Sequence, residues 1–171
     1  RRVQEYWARY FGVPSFALGV PQTHDRLRTK PQAVEYFKNE LNLLRRRIGE
    51  FGGNEIKDRE VYHAITLCNQ IKEKLWALYE YPLDGRSPIE WRDVLKITHG
   101  GFLLDRLEYL QELEKIVKDL QRWDLEDIPY DKRARLMICG SIIGPGDNKV
   151  LDIVKQAGGN IVADSICTGA M

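Results

Sequence analysis

The sequence predicts an α/β protein, with a parallel strand–helix–strand unit at the C-terminal end and a large helical segment placed before it. Three observations carry this. Residues 136–139 form a short apolar run between charged residues and Gly140, which reads as a buried strand. A glycine-rich turn over 140–146 leads into a short helix starting near Asp147, with Val150, Leu151, Ile153 and Val154 on one side and Gly158-Gly159 as its stop. Residues 161–163 read as a second strand, and a crossover of this length predicts parallel pairing with a right-handed connection.

The earlier elements follow in order. Residues 1–11 predict a short amphipathic helix, with Val3, Tyr6, Trp7 and Tyr10 at helical spacing. Gly12 and Pro14 end it. VPSFALGV, residues 13–20, reads as a buried strand closed by Pro21. Pro31 then opens a helix, since its missing N–H is an orphan at that position anyway. Val34, Phe37, Leu41, Leu44 and Ile48 make its apolar stripe, and Gly52-Gly53 end it.

A third helix starts near Asp58 and ends before Pro82. Its stripe is Val61, Ala64, Ile65, Cys68, Ile71, Leu75 and Leu78. Ser87, Pro88 and Glu90 are spaced as an N-cap, N1 and N3 for a helix over residues 91–97, broken by Gly100-Gly101. Leu103, Leu107, Leu110, Leu113, Val117 and Leu120 mark a last long helix. The segments are therefore 1–30, helix plus strand belonging to a second α/β domain; 31–123, helical; 124–134, a polar linker containing Pro129; and 135–171, the start of a C-terminal βαβ unit that looks truncated.

Composition narrows the function classes. The 171 residues carry a formal net charge of +1, so nothing points to nucleic acid or an anionic membrane surface. No apolar run approaches the ~18 residues of a membrane span. The odd count of three cysteines lacks a disulfide-like spacing, which fits a reducing, cytoplasmic setting.

Strand ends are where open α/β sheets place their ligands. Cys139 and the glycine loop lie at the end of the first strand. Ser165, Cys167 and Thr168 lie at the end of the second. Cys167 sits in a loop beside Thr168 and Gly169, which allow close approach of a cofactor; read alone, it is an ordinary thiol more often than a ligand. Cys139, at a strand terminus, and Cys68, on an apolar stripe, read as small core residues. The backbone donors of GSIIGPGDNK suit an anion such as a CoA phosphate or thioester oxygen, although the loop is neither a P-loop nor GxGxxG. Otherwise it is a tight turn. Ser141 and Ser165 are candidate donors to a substrate carbonyl. His24-Asp25 is a possible acid–base pair, with an exposed polar loop the simpler reading. His63 and His99 show no metal spacing. Arg45, Arg46 and Arg47 read as a solvated helix face, and Trp76, Trp91 and Trp123 as helix-packing residues.

The run YFKNELNLLRRRIGEFGGNEIKDREVYHAITLCNQIKEKLWALYE resembles the middle of the 2-hydroxyacyl-CoA dehydratase and benzoyl-CoA reductase superfamily, in a manner similar to the 2-hydroxyglutaryl-CoA dehydratase D-component. The motifs are Tyr36-Phe37 with Glu40-Leu41, then Ala64-Ile65 with Leu67 and Asn69. The tail with Gly140-Ser141, Gly158-Gly159 and Asp164-Ser165-Ile166-Cys167-Thr168-Gly169 is similar to that family's final domain, and VPSFALGVP to the strand opening its second half. At Ala170-Met171 the chain departs from the Arg or bulky polar residue that often follows Cys-x-Gly there.

The resemblance implies flavodoxin-like α/β domains with added helices, of which this chain is a piece lacking an N-terminal domain and inactive alone. It implies a heterodimer with a paralogous subunit, an ATP-dependent iron–sulfur activator protein, and a CoA thioester substrate reduced by one electron. Cys167 would be a [4Fe–4S] ligand, the other ligands lying outside this segment. Gly140, Ser141 and Ser165 would contact substrate. The activity implied is a lyase, or an oxidoreductase in the benzoyl-CoA branch. A double-cubane cluster reductase relative, a non-catalytic nucleotide- or CoA-binding module and a structural subunit without its own cluster are the alternatives.

Overall fold

In the computed structural model, residues 2–21 and 30–169 are described. The candidate pair His24-Asp25 and the departure at Ala170-Met171 lie outside them. The chain folds as two units, Arg1–Tyr62 and His63–Met171.

The first unit contains α1 (Arg2–Phe11), α2 (Pro31–Gly52) and the opening turn of α3 (Asp58–Glu80). Pro31 occupies the first helical position of α2, as its fixed φ favours. Gly53 closes α2 with φ of 72°, a left-handed conformation that glycine adopts without steric cost. The Arg45 guanidinium reaches the Ile56 carbonyl at 2.6 Å and pairs with Asp58, fastening the turn that follows. Two expectations are corrected. Residues 13–20 form no strand and no helix; Gly19 instead donates its N–H to Glu40 Oε2 at 2.8 Å. The α2 stripe forms on the expected helix, yet Val34, Leu41 and Ile48 are exposed.

The second unit holds the apolar core. After α3 come a 3-10 turn (Tyr81–Leu83), α4 (Trp91–Gly100), α5 (Arg106–Leu120), a second 3-10 turn (Leu125–Asp127), β1 (Ala134–Cys139), α6 (Lys149–Gln156) and β2 (Gly159–Ser165). Leu78, Trp91, Val94, Leu113 and Ile166 are its most enclosed side chains, joined by Ile71, Tyr79, Tyr109, Leu110, Val117, Leu151 and Ile161. Full burial of such a side chain stabilises by about 1.5–3 kcal/mol. Every buried apolar side chain of the described residues lies here, so this unit carries the hydrophobic stabilisation.

The start of α4 differs from expectation. The helix begins at Trp91 with Glu90 as its cap residue. Ser87 Oγ is engaged locally with the N–H and carbonyl of Ile89, two residues on, so it makes a turn and not a cap. Asp105 caps α5 by accepting from Leu107 and Glu108 N–H groups. Gly101 is needed for space, since a Cβ there would stand 2.8 Å from the Tyr109 ring.

The polar stretch 124–133 is fastened down. Arg86 donates to the Glu126 and Ile128 carbonyls, and Asp131 binds Arg133 and Asn160. The Arg133 hydrogen bonds hold the Asp131 carboxyl below its usual range.

β1 and β2 pair in parallel, in register from Ala134↔Gly159 to Cys139↔Ser165, with one irregularity after Leu136. This two-stranded sheet and the helices before it make the α/β class observed. β1 is nevertheless exposed, not buried as its sequence predicts: Leu136 and Met137 face solvent, while β2 is covered by α4 and α6. No helix among the described residues is long and apolar enough to cross a membrane.

Candidate functional site

The carboxyl ends of β1 and β2 lie side by side, with Cys139 opposite Ser165. Beyond them the two loops are laced together. Gly140 N–H donates to Ser165 O at 3.3 Å, Cys167 N–H to Ser141 O at 3.0 Å, and Thr168 Oγ1 to Ile143 O at 3.1 Å. Gly169 N–H closes the turn onto Ile166 O at 3.1 Å.

Gly140, Ser141, Ser165 and Cys167 are thereby gathered on one sheet edge, and all four are exposed. Ile166, immediately before Cys167, is 1% exposed and sits in the core. It pegs the loop, while Cys167, the next residue, is exposed.

The other two cysteines correct the core reading. Cys139 and Cys68 are exposed, because neither the β1 face nor the first half of α3 is covered in the second unit. Trp91 packs as expected at 1% exposure, whereas Trp76 and Trp123 are half or more exposed. His99 is buried at the end of α4, where desolvation lowers its pKa, and its Nε2 has no hydrogen-bond partner.

The glycine loop turns several of its donors inward. Besides Gly140, the N–H groups of Asp147 and Asn148 bond to the carbonyls of Gly144 and Gly146. Fewer donors are left for an anion than the sequence offers.

Asp164 and Tyr79, to which the sequence assigned no role at the site, build the floor of this edge together with Trp91. Asp164 Oδ2 accepts from the Trp91 indole at 2.8 Å, and its Oδ1 accepts from Ile166 N–H at 3.4 Å. The Tyr79 phenol also reaches this carboxylate. Burial first, and the nearby carboxylate in addition, push the Tyr79 pKa up to about 12, against the lowering effect of the Thr98 hydroxyl bond at 3.3 Å. A Cβ on Gly169 would collide with Asp164, so only glycine lets the loop fold over that carboxylate. The available signal was an acid near the end of the largely apolar β2, where a partly buried carboxylate needs a partner to be tolerated.

Donor chemistry sets what the edge can hold. No group of three or more His, Cys, Asp or Glu side chains able to bind a metal occurs among the described residues. An exposed thiol such as Cys167 has the donor chemistry of a single iron–sulfur ligand, and the described residues offer no complete set of such ligands.

The family model of the 2-hydroxyglutaryl-CoA dehydratase D-component matches residues 1–171. A protein of Escherichia coli (strain K12), described as "Putative dehydratase subunit YjiM", is 29% identical over 99% of this chain. The chain spans 43% of that relative's length. On the family match across its whole length, the chain belongs to the 2-hydroxyglutaryl-CoA dehydratase D-component family.

Proposed function

We propose that the chain is part of a subunit of a cytoplasmic 2-hydroxyacyl-CoA dehydratase-type lyase, with the Cys167 thiolate as one ligand of a [4Fe–4S] cluster. The remaining ligands lie outside the described residues. The observation supporting this is the presentation of Cys167: an exposed thiol at the carboxyl edge of a parallel sheet, on a loop pegged by the buried Ile166. When bound, such a cluster supplies single electrons to a CoA thioester, fed by an ATP-dependent iron–sulfur activator.

The chain's own residues hold and orient. The Cys167 N–H bond to Ser141 O fixes the backbone from which the thiolate reaches out. The exposed hydroxyls of Ser141 and Ser165 flank it as donors to the thioester oxygen. Gly140 leaves room for the substrate between them. A paralogous subunit completes the enzyme as a heterodimer.

Iron and EPR measurements on the full-length protein, purified without oxygen, test the reading. A cubane-type signal that weakens or changes in Cys167→Ala is expected. A protein free of iron under those conditions contradicts it.

A further inference from the structure

A cleft of about 480 Å³ opens in the first unit, between the last turns of α2 and residues 53–56. Its volume falls in the range of small-molecule sites. Its far wall is fastened to the helix. Asn54 N–H donates to Gly49 O at 3.0 Å, and Arg45 binds the Ile56 carbonyl at 2.6 Å and pairs with Asp58. Gly49 is buried, and a Cβ there would stand 2.7 Å from Asn54 O, so the turn closes against bare backbone. The walls are therefore set by the chain's own contacts.

Four charged side chains line the cleft: Arg45, Arg46, Glu50 and Glu55. Arg45 is engaged by the turn. The side chains of the other three make no ion pair or hydrogen bond among the described residues, and all three are exposed. Arg46 and Glu50 stand one helical turn apart, but in the order cation then carboxylate, which is the less favourable one on a helix. The helical pairs that do close at i, i+3 spacing, such as Glu35 with Lys38, all put the carboxylate first. Both heads are thus left for a ligand.

One free cation and two free carboxylates select the ligand by charge. A simple anion would match Arg46 alone and face two like charges. A complementary molecule carries one carboxylate and two cationic groups, with an aliphatic stretch to lie along the half-buried Ile56. We propose that this cleft binds a free basic α-amino acid of the lysine type. Its carboxylate meets Arg46, its α-ammonium meets Glu50, and its side-chain ammonium meets Glu55. The site lies in the first unit and does not depend on the Cys167 edge, which lies in the second.

Calorimetry on the full-length protein tests this, with L-lysine and three analogues that each lack one charge. L-norleucine lacks the side-chain ammonium, 6-aminohexanoate the α-ammonium and cadaverine the carboxylate. L-lysine is expected to bind about three- to tenfold more tightly than each analogue, the size of one charge-assisted contact in a partly open site. Each preference should vanish with its own partner: that over norleucine in Glu55→Gln, that over 6-aminohexanoate in Glu50→Gln, and that over cadaverine in Arg46→Gln. The three side chains are exposed and unpaired, so the unliganded variants should keep the Tm of the unmodified protein. No saturable binding of L-lysine to the unmodified protein would overturn the inference. So would a preference that survives the matching substitution in a variant with unchanged Tm.

Discussion

The Trp91 indole Nε1 stands 2.8 Å from Asp164 Oδ2, so the first residue of α4 holds the carboxylate from which the Cys167 loop departs. Trp91 is 1% exposed, and its ring anchors in the core while its one polar atom leaves it. The same Asp164 accepts from Ile166 N–H and leaves no room for a side chain at Gly169. A single carboxylate thus joins the helical part of the unit to the turn that presents the thiol.

Trp91→Phe keeps most of the ring and removes the donor. It should destabilise the protein by about 1–3 kcal/mol, as expected for a hydrogen bond to a charged group. Asp164→Asn should show a coupling with Trp91→Phe of at least ~0.5 kcal/mol in a urea-denaturation double-mutant cycle. Strict additivity would mean that the pair does not act as a unit.

Gly169→Ala places a methyl group against the Asp164 carboxylate and 2.9 Å from Ile166 Cγ1. The loop must shift to make room. Iron bound by the full-length protein should fall several-fold, while Gly144→Ala, where a Cβ meets nothing within 4 Å, should leave it unchanged. Equal iron in both variants would mean that the loop tolerates the methyl.

How much of this was legible in the residues differs by element. The helices, both strands and their parallel pairing follow from apolar spacing and glycine stops, because those signals are local. The Ser87 cap failed because a hydroxyl can bond its own neighbourhood as readily as a helix terminus. The strand expected at 13–20 failed because a strand exists only with a partner, and its sequence names none. The same limit explains the cysteines: apolar spacing placed Cys68 and Cys139 on apolar faces, but spacing does not say whether a face is covered. The gathering of Gly140, Ser141, Ser165 and Cys167 was readable, since parallel pairing alone puts strand ends together. The Trp91–Asp164 contact was not, because 73 residues separate the partners.

The alkaline limit of stability should lie with the two buried phenols. Burial pushes both Tyr79 and Tyr109 up to about 12. A raised pKa favours the neutral phenol in the folded state, so its contribution is complete below the ordinary value near 10 and is lost as pH rises through about 12. Tyr109 also donates to the Ile97 carbonyl at 2.8 Å. Tyr109→Phe should lower stability at neutral pH by about 1 kcal/mol and flatten the decline between about pH 10 and 12. An unchanged alkaline slope in urea titrations would contradict this.

At the acid end, the Arg133 hydrogen bonds keep the Asp131 carboxyl below its usual pKa, with Asn160 adding a bond at 2.7 Å. A depressed folded value gives stability that is present above the ordinary carboxylate value of about 4 and is lost as pH falls through the lower, folded one. Asp131→Asn should therefore destabilise at neutral pH, and its cost should shrink as pH drops below about 4. A cost independent of pH would show that the charge is not what matters there.

The most direct measurement is iron bound per chain in full-length protein purified without oxygen, compared among Cys167→Ala, Cys139→Ala and Cys68→Ala. The account predicts that only the Cys167 substitution lowers bound iron and alters the EPR signal. Iron and spectrum left intact by Cys167→Ala, or lost equally in all three variants, would contradict it.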